Sequence, residues 1–147
     1  MQKVLKHYPR LTIAMVEIFI ALGILIFWVV FFIFRPVPFT NFDKVEIYRA
    51  FEHAFVIPDV VLAIFLLWSG YSLLRGSTMG CILSIIAGGM LVFLGLLDVS
   101  FNIQQGIYST GISAALVNGI INACCILGGG LLIKFGSKQL HTPLNSA

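Results

Sequence analysis

The stretch Phe51-Glu-His-Ala-Phe-Val-Ile-Pro-Asp59, running on into Val60-Val-Leu-Ala-Ile-Phe-Leu-Leu-Trp-Ser-Gly-Tyr-Ser-Leu-Leu74, decides how the whole chain is read. It sets two carboxylates at the threshold of a run apolar enough to enter a lipid bilayer. Seven residues are two helical turns, so Glu52 and Asp59 share one face wherever the backbone is helical. Pro58 suits the first turn of a new helix, where its missing N–H is not needed. The pattern predicts a membrane span over about 56–74, entered through an acidic mouth.

Three further apolar runs, over about 11–34, 79–97 and 111–133, approach the ~20 residues a hydrocarbon core requires. The chain has 147 residues, 59% of them hydrophobic and 10% charged, with a mean hydropathy of +1.02. A soluble domain carries about 25% charged residues, so this composition cannot cover a water-facing surface. The expectation is one all-α, multi-pass integral membrane domain, a four-transmembrane-helix bundle. The net charge of +3 sits at span ends with no aromatic-interleaved basic patch, which argues against a nucleic-acid partner. Cys81, Cys124 and Cys125 all fall inside spans, so neither a disulfide nor a metal site is expected, and no cofactor motif is present.

The connections refine this picture. The first span is too long for a signal-peptide core, and Trp28 with Phe31-Phe-Ile-Phe34 resembles an aromatic belt at its far end. Arg35-Pro-Val-Pro38 should stop the helix. Thr40 or Asn41 then caps a short helix over 41–55. There Phe42, Val45, Tyr48, Phe51 and Phe55 make one apolar stripe, and Asp43, Lys44, Glu46 and Arg49 fall largely on the other side. Such a helix is expected to lie at the membrane surface. Arg75-Gly-Ser-Thr78 is short enough to make spans two and three antiparallel neighbours. Ser100 to Thr110 reads as a polar loop and 135–147 as a flexible tail. Lys3, Lys6, Arg10, Arg75, Lys134 and Lys138 collect on one side, against Arg35, Lys44 and Arg49 on the other. By the positive-inside rule both termini are cytoplasmic.

Lipid supplies no hydrophobic drive for helix association, so packing faces are marked by small and polar residues. Span one offers Ala14, Glu17 and Ala21; span two Glu52, Asp59, Ala63 and Gly70. Span three offers Gly80, Ser84, Gly88, Gly95 and Asp98; span four Gly111, Ala115, Asn118, Asn122 and Cys125. A charge at the bilayer centre costs about 2.5–3.5 kcal/mol on insertion scales, so the polar members should face inward. Glu52, Asp59, Asp98, Asn102, Asn118 and Asn122 gather towards the non-cytoplasmic side and form the candidate ligand site. Glu17, alone near the cytoplasmic side, is a candidate proton site. Each has a structural counterpart. Asp59 can bind free N–H groups of a first helical turn, Glu17 can reach Arg75 or Tyr71, and Asn118 and Asn122 can be interhelical glue.

Glu52-x-x-Phe55-x-Ile57-Pro58, followed by Ala63, Leu66-Leu67, Gly70 and Gly76-Ser77, resembles a segment of the EXPERA membrane proteins. That family includes the emopamil-binding sterol isomerase and the sigma-2 receptor. The resemblance implies a membrane cavity whose acids hold a sterol or a cationic amphiphile, with Glu52 the matching acid and Asp59 and Asp98 further candidates. The tryptophan and asparagine pattern of the isomerases is not evident in span four, and the span count fits DoxX-like proteins as well.

The function these residues favour is binding of a lipid-like or amphiphilic molecule in an outward-opening acidic pocket. If the protein is an enzyme, the expected reaction is isomerase-like proton transfer by those carboxylates. A second reading is an accessory or assembly subunit that contacts a partner membrane protein or copies of itself. A third is a proton-coupled carrier using Glu17 and Asp59.

Overall fold

A computed structural model of the chain describes residues 2–34 and 42–141, with side chains over 10–34 and 44–141. The described chain is all-α. Four long helices, α1 (Gln2–Phe34), α2 (Phe42–Leu74), α3 (Thr78–Gln105) and α4 (Ile112–His141), follow in order, with a short 3₁₀ turn at Ile107–Ser109. Each long helix is long and apolar enough to cross a membrane. The helices alternate in direction. Arg10, early in α1, donates to the Gly76 carbonyl in the α2–α3 turn at 2.9 Å, and Gly136, late in α4, lies against Cys81 and Ile85 of α3. The start of α1 and the end of α4 therefore lie at the end of the bundle that carries the α2–α3 turn.

Local chemistry sets the helix limits. Gly76 (φ 72°) and Gly106 (φ 70°) adopt the left-handed conformation that closes α2 and α3. The Ser77 hydroxyl caps α3 by accepting from the Met79 N–H at 3.2 Å. Three expectations are corrected here. The surface helix over 41–55 is not a separate element. Its described part is the first half of α2, which continues through Pro58. Most of the Ser100–Thr110 loop is the last turns of α3, and residues 135–141 are the last turns of α4 rather than tail. The stop at Arg35–Pro38, the Thr40 or Asn41 cap, and residues 142–147 lie outside the described residues.

Small residues govern the packing at the turn end. A Cβ added at Gly88 would stand 2.6 Å from the Gly129 carbonyl oxygen, and one at Gly129 2.5 Å from that of Gly88. A Cβ at Gly80 would stand 2.7 Å from the Leu73 nitrogen, and one at Gly70 2.9 Å from Ile18 and 3.1 Å from the Ala14 carbonyl oxygen. Around these contacts Ala21, Leu62, Ala63, Leu66, Ala87, Leu91 and Leu132 form one buried cluster drawn from all four helices. The small-residue face of α3 is thus used as expected. On α4 the packing face runs instead through Asn122, Gly129, Leu132 and Gly136, while Gly111 and Ala115 stay outside it.

Helix order in space is α1–α2–α3–α4, with the most extensive packing between α3 and α4 and no comparable packing between α1 and α4. At the end away from the α2–α3 turn the helices are held apart by rings. Phe51 stacks on Phe101 with centroids 3.6 Å apart and planes 5° from parallel, which fixes the first half of α2 against the end of α3.

Candidate functional site

The separation of the helices at that end leaves a cavity of about 410 Å³. The continuity of α2 is what builds it. Tyr48, Glu52, Phe55 and Asp59 recur at steps of four, three and four residues, and all four line the cavity. From α1 come Trp28 and Phe31, from α3 Leu94 and Asp98, and from α4 Asn118, Asn122 and Cys125. Five of the six residues expected at a ligand site, Glu52, Asp59, Asp98, Asn118 and Asn122, therefore surround one space. Asn102 does not line it. It is buried one turn further along α3 and donates its Nδ2 to Asp98 Oδ2 at 3.0 Å, which makes it a positioning residue.

Each carboxylate is oriented by a neutral donor. The Trp28 indole Nε1–H donates to Asp59 Oδ2 at 3.0 Å. The Tyr48 hydroxyl donates to Glu52 one turn away on α2. Asp98 is held by Asn102 and faced by the Asn122 amide, and Asn122 Nδ2 also donates to the Tyr108 hydroxyl at 2.8 Å. Asn118 spends its Nδ2 on its own helix, on the Ala114 carbonyl at 2.9 Å. Among the described residues, none lining the cavity is Lys, Arg or His. Three acids thus share an apolar, aromatic-walled space that no described Lys, Arg or His lines. Among the described residues no group of His, Cys, Asp and Glu has an arrangement suited to a metal ion.

Two structural alternatives for these residues are overturned. Asp59 does not cap a helix start, because Pro58 and Asp59 lie well inside α2. Trp28 and Phe31 are not belt residues; they are 5% and 3% exposed and form the α1 wall. Their roles had a signal in the sequence. Ala14, Glu17, Ala21, Trp28 and Phe31 follow one seven-residue pattern along α1, so the face that buries Glu17 also carries the two rings.

Glu17 lies elsewhere. It is 0% exposed, and its Oε1 accepts from the Ser84 hydroxyl at 2.6 Å. Ser84 and Ser69 hydroxyls are 3.0 Å apart, and Ser69 donates to the Gly80 carbonyl at 3.0 Å. Neither Arg75 nor Tyr71 is its partner. The Arg75 guanidinium lies over the Tyr71 ring, 4.5 Å from its centroid.

Residues 9–108 match the model of a protein family described as a domain of unknown function (DUF8058). The chain belongs to that family. The DUF8058 match takes in α1, α2 and α3 and with them Glu17, Glu52, Asp59 and Asp98, whereas Asn118 and Asn122 on α4 lie beyond it. Comparison with the curated proteins and with the solved structures finds no match.

Proposed function

We propose that this protein is a multi-pass membrane protein that binds a cationic amphiphile, its positive group among Glu52, Asp59 and Asp98. The observation that carries this reading is the set of three carboxylates around one cavity with no cation among the described residues of its lining. Ionised acids gathered in an apolar space are costly, and either a proton or a positive group relieves that cost. The rings of Trp28, Phe31, Tyr48 and Phe55 suit the remainder of such a ligand, since cations also favour aromatic faces. The volume lies within the ~300–1,000 Å³ usual for small-molecule sites.

Membrane residence is supported by the outward faces. Phe19, Ile57, Ile112 and Leu127 are among many large apolar side chains left exposed, a surface suited to lipid and not to water. The lysine and arginine distribution favours cytoplasmic termini, so the cavity end faces the opposite side. The unpacked flank between α1 and α4, bordered by exposed Phe27, Val117 and Ile121, offers a mouth towards lipid. The likeness of residues 52–77 to EXPERA proteins points to the same ligand class. A proton-coupled carrier is less well supported, because the apolar cluster around Ala21, Leu62 and Leu66 stands between Glu17 and Asp59.

The test is calorimetric titration of the protein in lipid nanodiscs with decylamine, decanol and decanoate. Decylamine binds with saturation, decanol weakly and decanoate not at all. Equal affinity for all three contradicts the reading. Absence of amine binding, together with a stoichiometric protein retained on gentle extraction, favours an accessory subunit instead.

A further inference from the structure

A second concavity, of about 420 Å³, lies against the outside of the bundle between α2 and α3. Its lining is wholly apolar and includes Ala54, Pro58, Met90 and Phe93. Two residues, Phe55 and Leu94, line both this groove and the acidic cavity. They are the partition between the two spaces. One side of that partition holds every carboxylate of the site, and the other holds none.

The partition stands one turn before Pro58 on α2. Pro58 has no N–H to give to the Ala54 carbonyl four residues back, so the turn that carries Phe55 lacks one bond of the helical ladder. The Phe55 ring, packed on Phe51 with centroids 4.7 Å apart, is the side chain that would have to turn for the two spaces to join.

We infer that the bound amphiphile is a long-chain amine: its ammonium sits with Asp59 and Asp98, and its alkyl tail passes the Phe55–Leu94 partition into the α2–α3 groove. This inference rests on the cation-binding reading and adds the tail's place and length. Continuity through shared wall residues is what assigns the groove an alkyl chain. A tail leaving through the α1–α4 flank would gain nothing from α2–α3 residues.

The experiment compares hexylamine with tetradecylamine in nanodiscs, using the intact chain, Ala54→Phe and Phe93→Ala. Ala54 and Phe93 are both exposed in the groove, so neither change disturbs the core. Lipid is as apolar as the groove, so the tail's contribution is its packing against groove side chains and is read as the difference between the two chain lengths. Ala54→Phe, which fills the groove, is expected to weaken tetradecylamine about tenfold, and Phe93→Ala about threefold, with hexylamine changed less than twofold in both. Equal effects on the two amines, or none on tetradecylamine, overturn the groove assignment. Should hexylamine still bind and still depend on Asp59 in that case, the cation site stands without the tail path. Failure of both amines to bind overturns both readings.

Discussion

Glu17 and Asp59 are both acids buried in an apolar helix bundle, eleven residues of α1, about 16 Å, separating Glu17 from the tryptophan that holds Asp59. Glu17 is sealed: α1, α2 and α3 close on it, Ser84 donates to its Oε1, and its Oε2 is buried without a hydrogen-bond partner among the described residues. Asp59 borders open space and shares it with two more acids. The difference comes from the size of the neighbours. Near Glu17 stand Ala14, Ala21, Gly70, Gly80 and Ala87, which let helices meet backbone to backbone. Near Asp59 stand Trp28, Phe31, Tyr48 and Phe55, whose rings hold the helices apart. One acid is therefore closed into the bundle, and the others border an open cavity.

Each variant below breaks or sharpens that contrast. The largest effect is expected at the closed end. Gly129→Val forces a side chain against the Gly88 carbonyl and Val92, and should cost about 3 kcal/mol of stability. Gly119→Val, with nothing within 4 Å of an added Cβ, should leave the melting temperature in nanodiscs nearly unchanged. If both variants melt alike, small-residue closure is not what separates the two ends.

Next comes a double dissociation between the acids. Asp59→Asn should weaken decylamine about thirtyfold, roughly the 2 kcal/mol expected for losing one partner of a buried charge pair, with little change in melting. Glu17→Ala should do the reverse, costing about 2 kcal/mol of stability through lost packing and an unanswered Ser84. Its decylamine affinity should stay within about twofold, since no part of Glu17 lines the cavity. Loss of binding in Glu17→Ala, measured on the folded fraction, would join the two sites into one.

A smaller effect is expected at the residue that orients Asp59. Trp28→Phe keeps a ring but removes the 3.0 Å indole bond, about 1 kcal/mol or fivefold in decylamine affinity. Asn102→Ala acts one step further from the ligand, through Asp98 alone, and should weaken binding about twofold.

Much of this was legible from residue spacing. Four helices follow from four apolar runs. The inward faces of α1 and α3 follow from Ala14, Glu17, Ala21 and from Gly80, Ser84, Gly88, because small and polar residues mark contacts between apolar helices. The clustering of Glu52, Asp59, Asp98, Asn118 and Asn122 followed from their common depth. What misled was local chemistry read too strictly. Pro58 resembles a helix start, yet a proline inside a long helix is tolerated when neighbouring helices hold the segment; Phe51 on Phe101 provides that hold. Ser100 to Gln105 is polar but helical, because Gly106 can close the helix only after them. Trp28 and Tyr48 were hidden because amphipathic rings at a span end suit a lipid interface and a cavity wall equally well. Which of the two they serve depends on α2 crossing opposite α1, a long-range fact that no window of sequence contains.

The most direct test uses Trp28 itself. The chain has two tryptophans, and Trp68, 52% exposed and outside the cavity, can be removed as Trp68→Phe. Emission from the remaining Trp28 in nanodiscs, titrated with decylamine, should shift with saturation at the calorimetric affinity, and decanoate should leave it unchanged. An emission that stays fixed while decylamine binds, or that responds equally to decanoate, would contradict a cation site beside Asp59.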